Sequence, residues 1–452
     1  MYFNIEQNYV FLFSSTDCFL NCFVIILCMF SDEQLGEILV EQKEAFLKKP
    51  VGVPREILVE IDERIRLPHV LVLTGLRRSG KSTLLRQIVK KYYSDKDFFY
   101  INFEDERLFN FPANEFNKMY ESLVRLFGEK KTFFIDEIQN ITNFESFVRR
   151  FYENGFKFFI TGSSANLLSK ELGTKLTGRH LDTHVNPFSF KEFLKLKEFD
   201  FDKKSTYLTE KKASLKKYFE EYLLMGGMPE YLKFTDQEIL SNIYKDTVLK
   251  DIAIRYKINN VTNLKELYSY LITNFANNFS YTSLKKFIGI KSVNTIKLYI
   301  SYFEETYFVK TINKFDYSLK KQLVNNKKLY VADNGFIQVV SKKVLGDKGW
   351  LLENLVFNSI KKEGDVFYYS DKYECDFLVT KNKQVLSAIQ VCYELNDKNK
   401  DREVQGLLGA INKFKPKNYL ILTNSQEDEL IVEGKKIIIK PVWKWLIEMD
   451  AI

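Results

Sequence analysis

Apolar and polar residues alternate along this chain in two rhythms. From residue 70 to about 190, short apolar runs alternate with stretches of helical spacing. Val70-Leu71-Val72-Leu73, Phe98-Phe99-Tyr100-Ile101-Asn102-Phe103, Thr132-Phe133-Phe134-Ile135 and Lys157-Phe158-Phe159-Ile160 read as buried strands. Thr83 to Lys90 places its apolar residues on one helical face. Strand–helix alternation of this kind predicts an α/β unit around a parallel sheet. Ahead of it, Leu35 to Phe46 is amphipathic, with Ser31 or Asp32 as its cap, and Pro50 and Pro54 break it. Residues 190–260 read as helical, interrupted at Gly226-Gly227-Met228-Pro229-Glu230-Tyr231 and resumed at Leu249 to Arg255. Leu264 to Phe275, Ser283 to Ile288 and Ser292 to Tyr302 predict three further helices. Phe308 to Ile312 and Leu329 to Val331 then flank a lysine-bearing loop, the rhythm of a winged helix-turn-helix.

Residues 345–452 predict a separate α/β unit. Its helices are Trp350 to Ile360, Arg402 to Asn412 and Val442 to Met449. Its strands are Val366 to Tyr369, Cys375 to Val379, Ser387 to Cys392 and Asn418 to Thr423. Residues 1–28 do not fit this scheme. Tyr9 to Phe30 is apolar and cysteine-rich, but its longest unbroken apolar run, Phe23 to Phe30, is well short of the ~20 residues a membrane span needs. An over-extended reading frame with the true start at Met29 is the preferred expectation, and a marginal membrane anchor the second. The five cysteines follow no zinc or disulfide spacing, so a reducing cytoplasm is expected.

The loop after the first strand carries the chemistry. Gly75-Leu76-Arg77-Arg78-Ser79-Gly80-Lys81-Ser82 fits G-x-x-x-x-G-K-[ST] between a strand and a helix. Glycines at its ends let backbone N–H groups curl around phosphate oxygens, and the helix start that follows, with Thr83, adds a positive dipole end. Lys81 supplies a point charge for β- and γ-phosphates, and Ser82 a hydroxyl for Mg²⁺. The strand Thr132 to Ile135 ends in Asp136-Glu137. Asp136 is expected to hold the Mg²⁺ shell and Glu137 to polarise a water toward the γ-phosphate. A third strand ends in Thr161-Gly162-Ser163-Ser164, so Ser163 or Ser164 is placed either to touch the γ-phosphate or to cap the next helix. Arg179, about one helix later, is a candidate for reaching a γ-phosphate, in its own subunit or across a boundary.

Charge sharpens one further expectation. The chain carries 67 Lys and Arg against 59 Asp and Glu, a net +8. Ten lysines against Glu304, Glu305 and Asp316 put +7 of this between Tyr281 and Tyr330. Lys291, Lys297, Lys320 and Lys321 would neutralise phosphates of double-stranded DNA with little sequence preference. No arginine lies there for bidentate guanine readout, and a protein contact is the other use of such a surface.

The ordered set of motifs resembles AAA+-type P-loop ATPases of archaea and bacteria that end in a restriction-endonuclease-like domain. Gly75 to Ser82, Phe133 to Glu137, Ile160 to Ser164 and Gly178-Arg179 carry the resemblance, with Gly226 to Pro229, Leu249 to Arg255, Glu353 to Phe357 and Asp376-Phe377. It implies a RecA-like core at 70–190 behind a leading helix and connector at 29–69. A helical lid at 191–260, a winged helix at 261–335 and a nuclease-type α/β fold at 345–452 would follow. The expected function is Mg²⁺-dependent ATP binding and hydrolysis coupled to a conformational change on nucleic acid, with oligomers allowed. The alternatives are an ATP-dependent switch with a protein partner, or an ATP-gated nuclease. The resemblance also implies an acid at Asp376, an E-x-K triplet on the next strand and Glu353 completing a Mg²⁺ shell. Gln390-Val391-Cys392 occupies the triplet, with an amide for the acid and no cation, so this unit is expected to be inactive.

Overall fold

The computed structural model describes residues 30–109, 111–163, 176–341 and 348–449. Residues 1–28 and Ser164, both singled out above, lie outside them.

The leading helix α1 (Asp32–Lys48) opens on a capping box between Ser31 and Gln34. A connector holding α2 (Leu58–Arg64) leads to a parallel sheet of β1 (Val70–Thr74), β2 (Phe99–Asn102), β3 (Thr132–Asp136), β4 (Lys157–Gly162) and β5 (His180–His184). Their order is β2-β3-β4-β1-β5, with every pair parallel. Helix α3 (Lys81–Tyr92) follows β1; α4 (Phe116–Phe127) and α5 (Phe144–Glu153) follow β2 and β3. Parallel register sets Phe133 beside Phe158 and Phe134 beside Phe159, and both ring pairs stack, at 5.1 and 4.5 Å between centroids. Strands buried on both faces read as unbroken apolar runs, which is why β1, β3 and β4 were so visible. The edge strand β5, His180-Leu181-Asp182-Thr183-His184, has no such run and was not predicted.

The helical stretch comprises α6 (Phe190–Leu196), α7 (Thr209–Met225), α8 (Pro229–Phe234) and α9 (Gln237–Asp246), continued by a π-helical turn, Thr247–Ile254. Next come α10 (Val261–Thr273), α11 (Tyr281–Ile288) and α12 (Val293–Glu305) with a small antiparallel sheet. This sheet is ordered β6-β8-β7, from β6 (Asn278–Phe279), β7 (Val309–Asn313) and β8 (Lys327–Val331). The lysine-bearing loop between β7 and β8 contains a short helix, α13 (Leu319–Val324), that period counting missed. Two of the ten lysines of this segment, Lys327 and Lys328, are buried, so the basic surface is smaller than the sequence count implies.

After α14 (Asn334–Val340), the last unit begins with α15 (Lys348–Ile360). A six-stranded sheet follows in the order β13-β14-β12-β11-β10-β9. It is built from β9 (Asp365–Ser370), β10 (Glu374–Lys381), β11 (Gln384–Val391), β12 (Asn418–Thr423), β13 (Asp428–Val432) and β14 (Lys435–Pro441), with α16 (Lys400–Phe414) and α17 (Val442–Glu448). The hairpin β13–β14 was unforeseen; its exposed face breaks the apolar run.

This unit has its own sheet but not a wholly separate core. One hydrophobic cluster runs from Leu76 through Phe190, Leu223, Leu267, Ile300 and Leu352 to Trp443. It joins the helical stretch, the three-helix unit and one face of the last sheet. The parallel sheet has two clusters of its own. A buried polar web stitches the joined part. Asp333 accepts from the N–H groups of Gly227 (2.5 Å) and Gly335 (2.9 Å). Asn334 donates to the carbonyls of Leu223 and Leu351, and Asn354 bridges Val331 and Asn334. Gly226-Gly227 is explained here: a Cβ on Gly227 would lie 2.1 Å from the Phe188 carbonyl oxygen.

Candidate nucleotide site

The phosphate-loop candidate leaves the carboxyl end of β1, between β4 and β5, where an open parallel sheet holds ligands. Gly75 has φ 143° and Gly80 φ 100°, and a Cβ on Gly75 would meet the Val185 carbonyl oxygen at 2.4 Å. Only glycine fits there. Buried Lys81 curls back, donating to the carbonyls of Gly75 (3.1 Å) and Leu76 (3.2 Å), with its Nζ 3.7 Å from Glu137 Oε1. Ser82, in the first turn of α3, lies beside Asp136. Asp136 is buried, and burial together with the neighbouring Glu137 charge raises its pKa, against the hydrogen bond from Thr161 and the nearby Ser82 hydroxyl. Thr161 also accepts the Glu137 N–H at 2.9 Å, and Gln139 donates to both Glu137 and Ser163. Thus Lys81, Ser82, Asp136, Glu137 and Ser163 converge on one sheet edge. Thr83 stands in the first turn of α3 and turns its hydroxyl to Arg86 (2.9 Å).

Arg179 does not join them. Its carbonyl accepts from Val70 N–H at the opposite end of β1, and its guanidinium faces Glu153 at 3.4 Å. Five strand residues at ~3.3 Å each separate it from the loop by roughly 16 Å, beyond a side chain's reach. The expectation that Arg179 reaches a γ-phosphate of its own subunit is therefore corrected.

Several participants escaped the sequence reading. Arg55, from the connector, lies buried behind the loop. It donates to the Ser79 carbonyl (2.9 Å), the Asn186 carbonyl (2.5 Å) and Glu192 (3.0 Å). Nothing local marks it, because its partners are 24 to 137 residues away. Thr161 and Gln139 were likewise unremarked beside the stronger acids. The side chains of the intervening loop residues are already engaged by neighbouring elements. Leu76 is buried in the hydrophobic cluster of the helical stretch, Arg77 pairs with Asp251 (3.4 Å) and Glu104 (3.0 Å), and Arg78 pairs with Glu230 (2.6 Å). Glu230 and Asp251 belong to the two motifs that punctuate the helical stretch, and Asp251 sits on the π-helical turn, a common mark of functional sites.

A glycine-bounded loop, its lysine and a strand-end Asp-Glu pair on a parallel sheet are the features of a P-loop nucleotide-binding fold. The family model of an AAA domain matches residues 67–194. A domain of unknown function matches residues 216–344, across the helical stretch and the three-helix unit. An uncharacterised protein of Methanocaldococcus jannaschii, MJ1544, is 39% identical over 433 residues, which span 90% of this chain and 94% of that one. The chain belongs to its family. An uncharacterised Haemophilus influenzae protein is 29% identical over 399 residues, 84% of this chain and 94% of its own. Among solved structures, AMPPCP-bound DnaA from Aquifex aeolicus aligns with TM-score 0.26 and 14% identity, over 55% of this chain and 87% of that one. The Thermotoga maritima RuvB Holliday junction branch migration motor aligns with TM-score 0.27 and 15% identity, over 62% and 89%. Among the described residues, no helix is long and apolar enough to cross a membrane.

Proposed function

We propose that this protein is a Mg²⁺-dependent ATPase whose nucleotide state sets how the helical lid grips the phosphate loop. The observation that carries this reading is the convergence of Lys81, Ser82, Asp136 and Glu137 at the carboxyl edge of the sheet. Mg²⁺ suits the donor set. Ser82 and Asp136 already face each other, and two protein oxygens with phosphates and water are what this ion takes from a P-loop. Bound there, the ion would offset charge developing on the β- and γ-phosphates. Lys81 would exchange its loop carbonyls for phosphate oxygens. Glu137, fixed by Thr161 and Gln139, would accept a proton from the attacking water, and Ser163 would orient through Gln139. Arg77 and Arg78, on the loop itself, would flank the phosphates; they are paired to the lid acids Asp251 and Glu230. Phosphate would compete with Asp251 and Glu230 for them, which links occupancy to lid position. Arg179 would act, if on phosphate at all, on that of a neighbouring subunit.

Nucleic acid is the proposed partner of the three-helix unit, read as a winged helix. Lys291, Lys297, Lys320 and Lys321 are all exposed there, as the phosphate-neutralising reading needs. A protein partner is favoured by one observation: Tyr317, Leu319, Leu323 and Val324 stand exposed on and beside α13, next to those lysines. Steady-state ATP hydrolysis by residues 29–452, with and without double-stranded DNA at two salt concentrations, separates the readings. Salt-sensitive stimulation supports nucleic-acid coupling. Turnover that ignores DNA removes that coupling, and no turnover with intact ATP binding leaves the switch.

A further inference from the structure

A cavity of about 590 Å³ between the three-helix unit and the last unit gathers the acids that a restriction-type site would use for metal. Asp376 on β10, Glu353 on α15 and Gln390 on the adjacent β11 line it, as the resemblance implies, with Glu374 beside them. The donors are already committed. Lys328 of β8, itself buried, places its Nζ 2.7 Å from Glu374 Oε1, 3.1 Å from Glu353 Oε1 and 3.7 Å from Asp376 Oδ1. Tyr330, two residues on and therefore on the same face of the strand, donates its hydroxyl to Glu353 Oε1 at 2.6 Å. Asn278, the cross-strand neighbour of Lys328, donates to Glu374 Oε2 at 3.0 Å. The other Asp376 oxygen accepts the Val391 N–H at 2.9 Å. Gln390 spends its oxygen on the Asp376 N–H (3.3 Å) and its amide on Glu403 (2.5 Å).

This is a poor donor set for Mg²⁺, which demands near-octahedral oxygens and dehydrates reluctantly. Among the described residues, no group of three or more His, Cys, Asp or Glu is placed to hold a metal ion. We propose that Lys328 stands where the metal would be: the acids form a socket for an ammonium delivered by the three-helix unit, and the cavity is closed to divalent cations. The socket turns a nuclease-type cleft into a joint. Asn278, Lys328 and Tyr330 come from one small sheet, and all three grip carboxylates of the neighbouring unit.

The test titrates Mn²⁺ into nucleotide-free protein carrying Asp136→Asn, so that the ATP site adds no metal, and follows free Mn²⁺ by electron paramagnetic resonance. The expected result is no stoichiometric binding with Lys328 in place, and one Mn²⁺ per chain gained in Lys328→Met. Folded Lys328→Met that gains no Mn²⁺ refutes the stand-in role. If that variant does not fold, Asp376→Asn in the same background carries the test, because it keeps the ammonium. An unchanged Mn²⁺ curve supports the socket. One Mn²⁺ bound by the parent and lost in Asp376→Asn overturns it, as does Asp376-dependent nicking of supercoiled plasmid in Mn²⁺.

Discussion

Replacing Arg55 by Met should loosen the phosphate loop from behind without touching any residue that faces the nucleotide. The guanidinium and its partner Glu192 each keep only 4% of their side-chain surface exposed. Removal leaves the Glu192 carboxylate buried with two backbone N–H donors, from Glu56 (2.7 Å) and Ser189 (2.9 Å), but no cation. Breaking a buried pair from one side costs about 3–5 kcal/mol. The Ser79 and Asn186 carbonyls also lose a donor, but these losses overlap with the first and do not simply add. With a urea slope of ~3 kcal/mol/M, the unfolding midpoint of the AAA domain should fall by roughly 1 M or more. Fluorescent ATP-analogue binding should weaken in parallel, since Ser79 and Gly80 are the residues Arg55 braces. Arg55→Met/Glu192→Gln should recover at least half of the midpoint, because a neutral amide can stay buried where a lone carboxylate cannot. The reasoning is refuted by a shift of the single variant below about 0.3 M, which is ~1 kcal/mol at that slope, or by a double variant no better than the single.

Further outcomes are open to measurement. Glu137→Gln should abolish turnover while retaining ATP, seen as nucleotide that stays with the protein through a desalting column. Gly75→Ala should prevent ATP binding, because the Val185 carbonyl lies 2.4 Å from the added methyl; a wild-type dissociation constant would contradict this. Charge reversal at both Arg78 and Glu230 should restore the nucleotide-dependent lid protection in hydrogen exchange that either single reversal reduces. The pair is half exposed, so unfolding should change by no more than about 1 kcal/mol. His184 is half-buried against Tyr307 and Thr74, near Asn186, Lys361 and Lys81, and its loss of solvent pushes its pKa down to about 3. The unfolded chain then binds the proton that the folded chain refuses. Stability is full above pH 6.5 and falls toward pH 3, by up to ~1.4 kcal/mol per unit, and His184→Gln should flatten that slope.

Much of the nucleotide site was readable because its signals are local. The loop, its lysine and the strand-end acids each occupy a few consecutive residues, and β1, β3 and β4 are apolar on both faces. What stayed hidden depends on contacts across the chain. Arg55 is one arginine in a connector until the fold brings Glu192 to it. Strand β5 lacks an apolar run because it closes the sheet's edge, so the placement of Arg179 could not be foreseen. Lys328 looked like one of ten lysines on a basic surface, and only the pairing of β6 with β8 turns it toward Glu353 and Glu374.

The hydrophobic cluster that runs from Leu76 to Trp443 bears on how this protein can be dissected. Cutting the chain before α15 would not release a self-sufficient unit from a dispensable tail. It would strip Leu351, Leu352, Val356 and Trp443 from the packing of α7 and leave Asn334 without its Leu351 acceptor. In hydrogen exchange the helices from α6 to α12, with α14, α15 and α17, should therefore open as one foldon, apart from the parallel sheet. A truncated chain that fails to bind nucleotide would then report a broken scaffold, not a missing site residue.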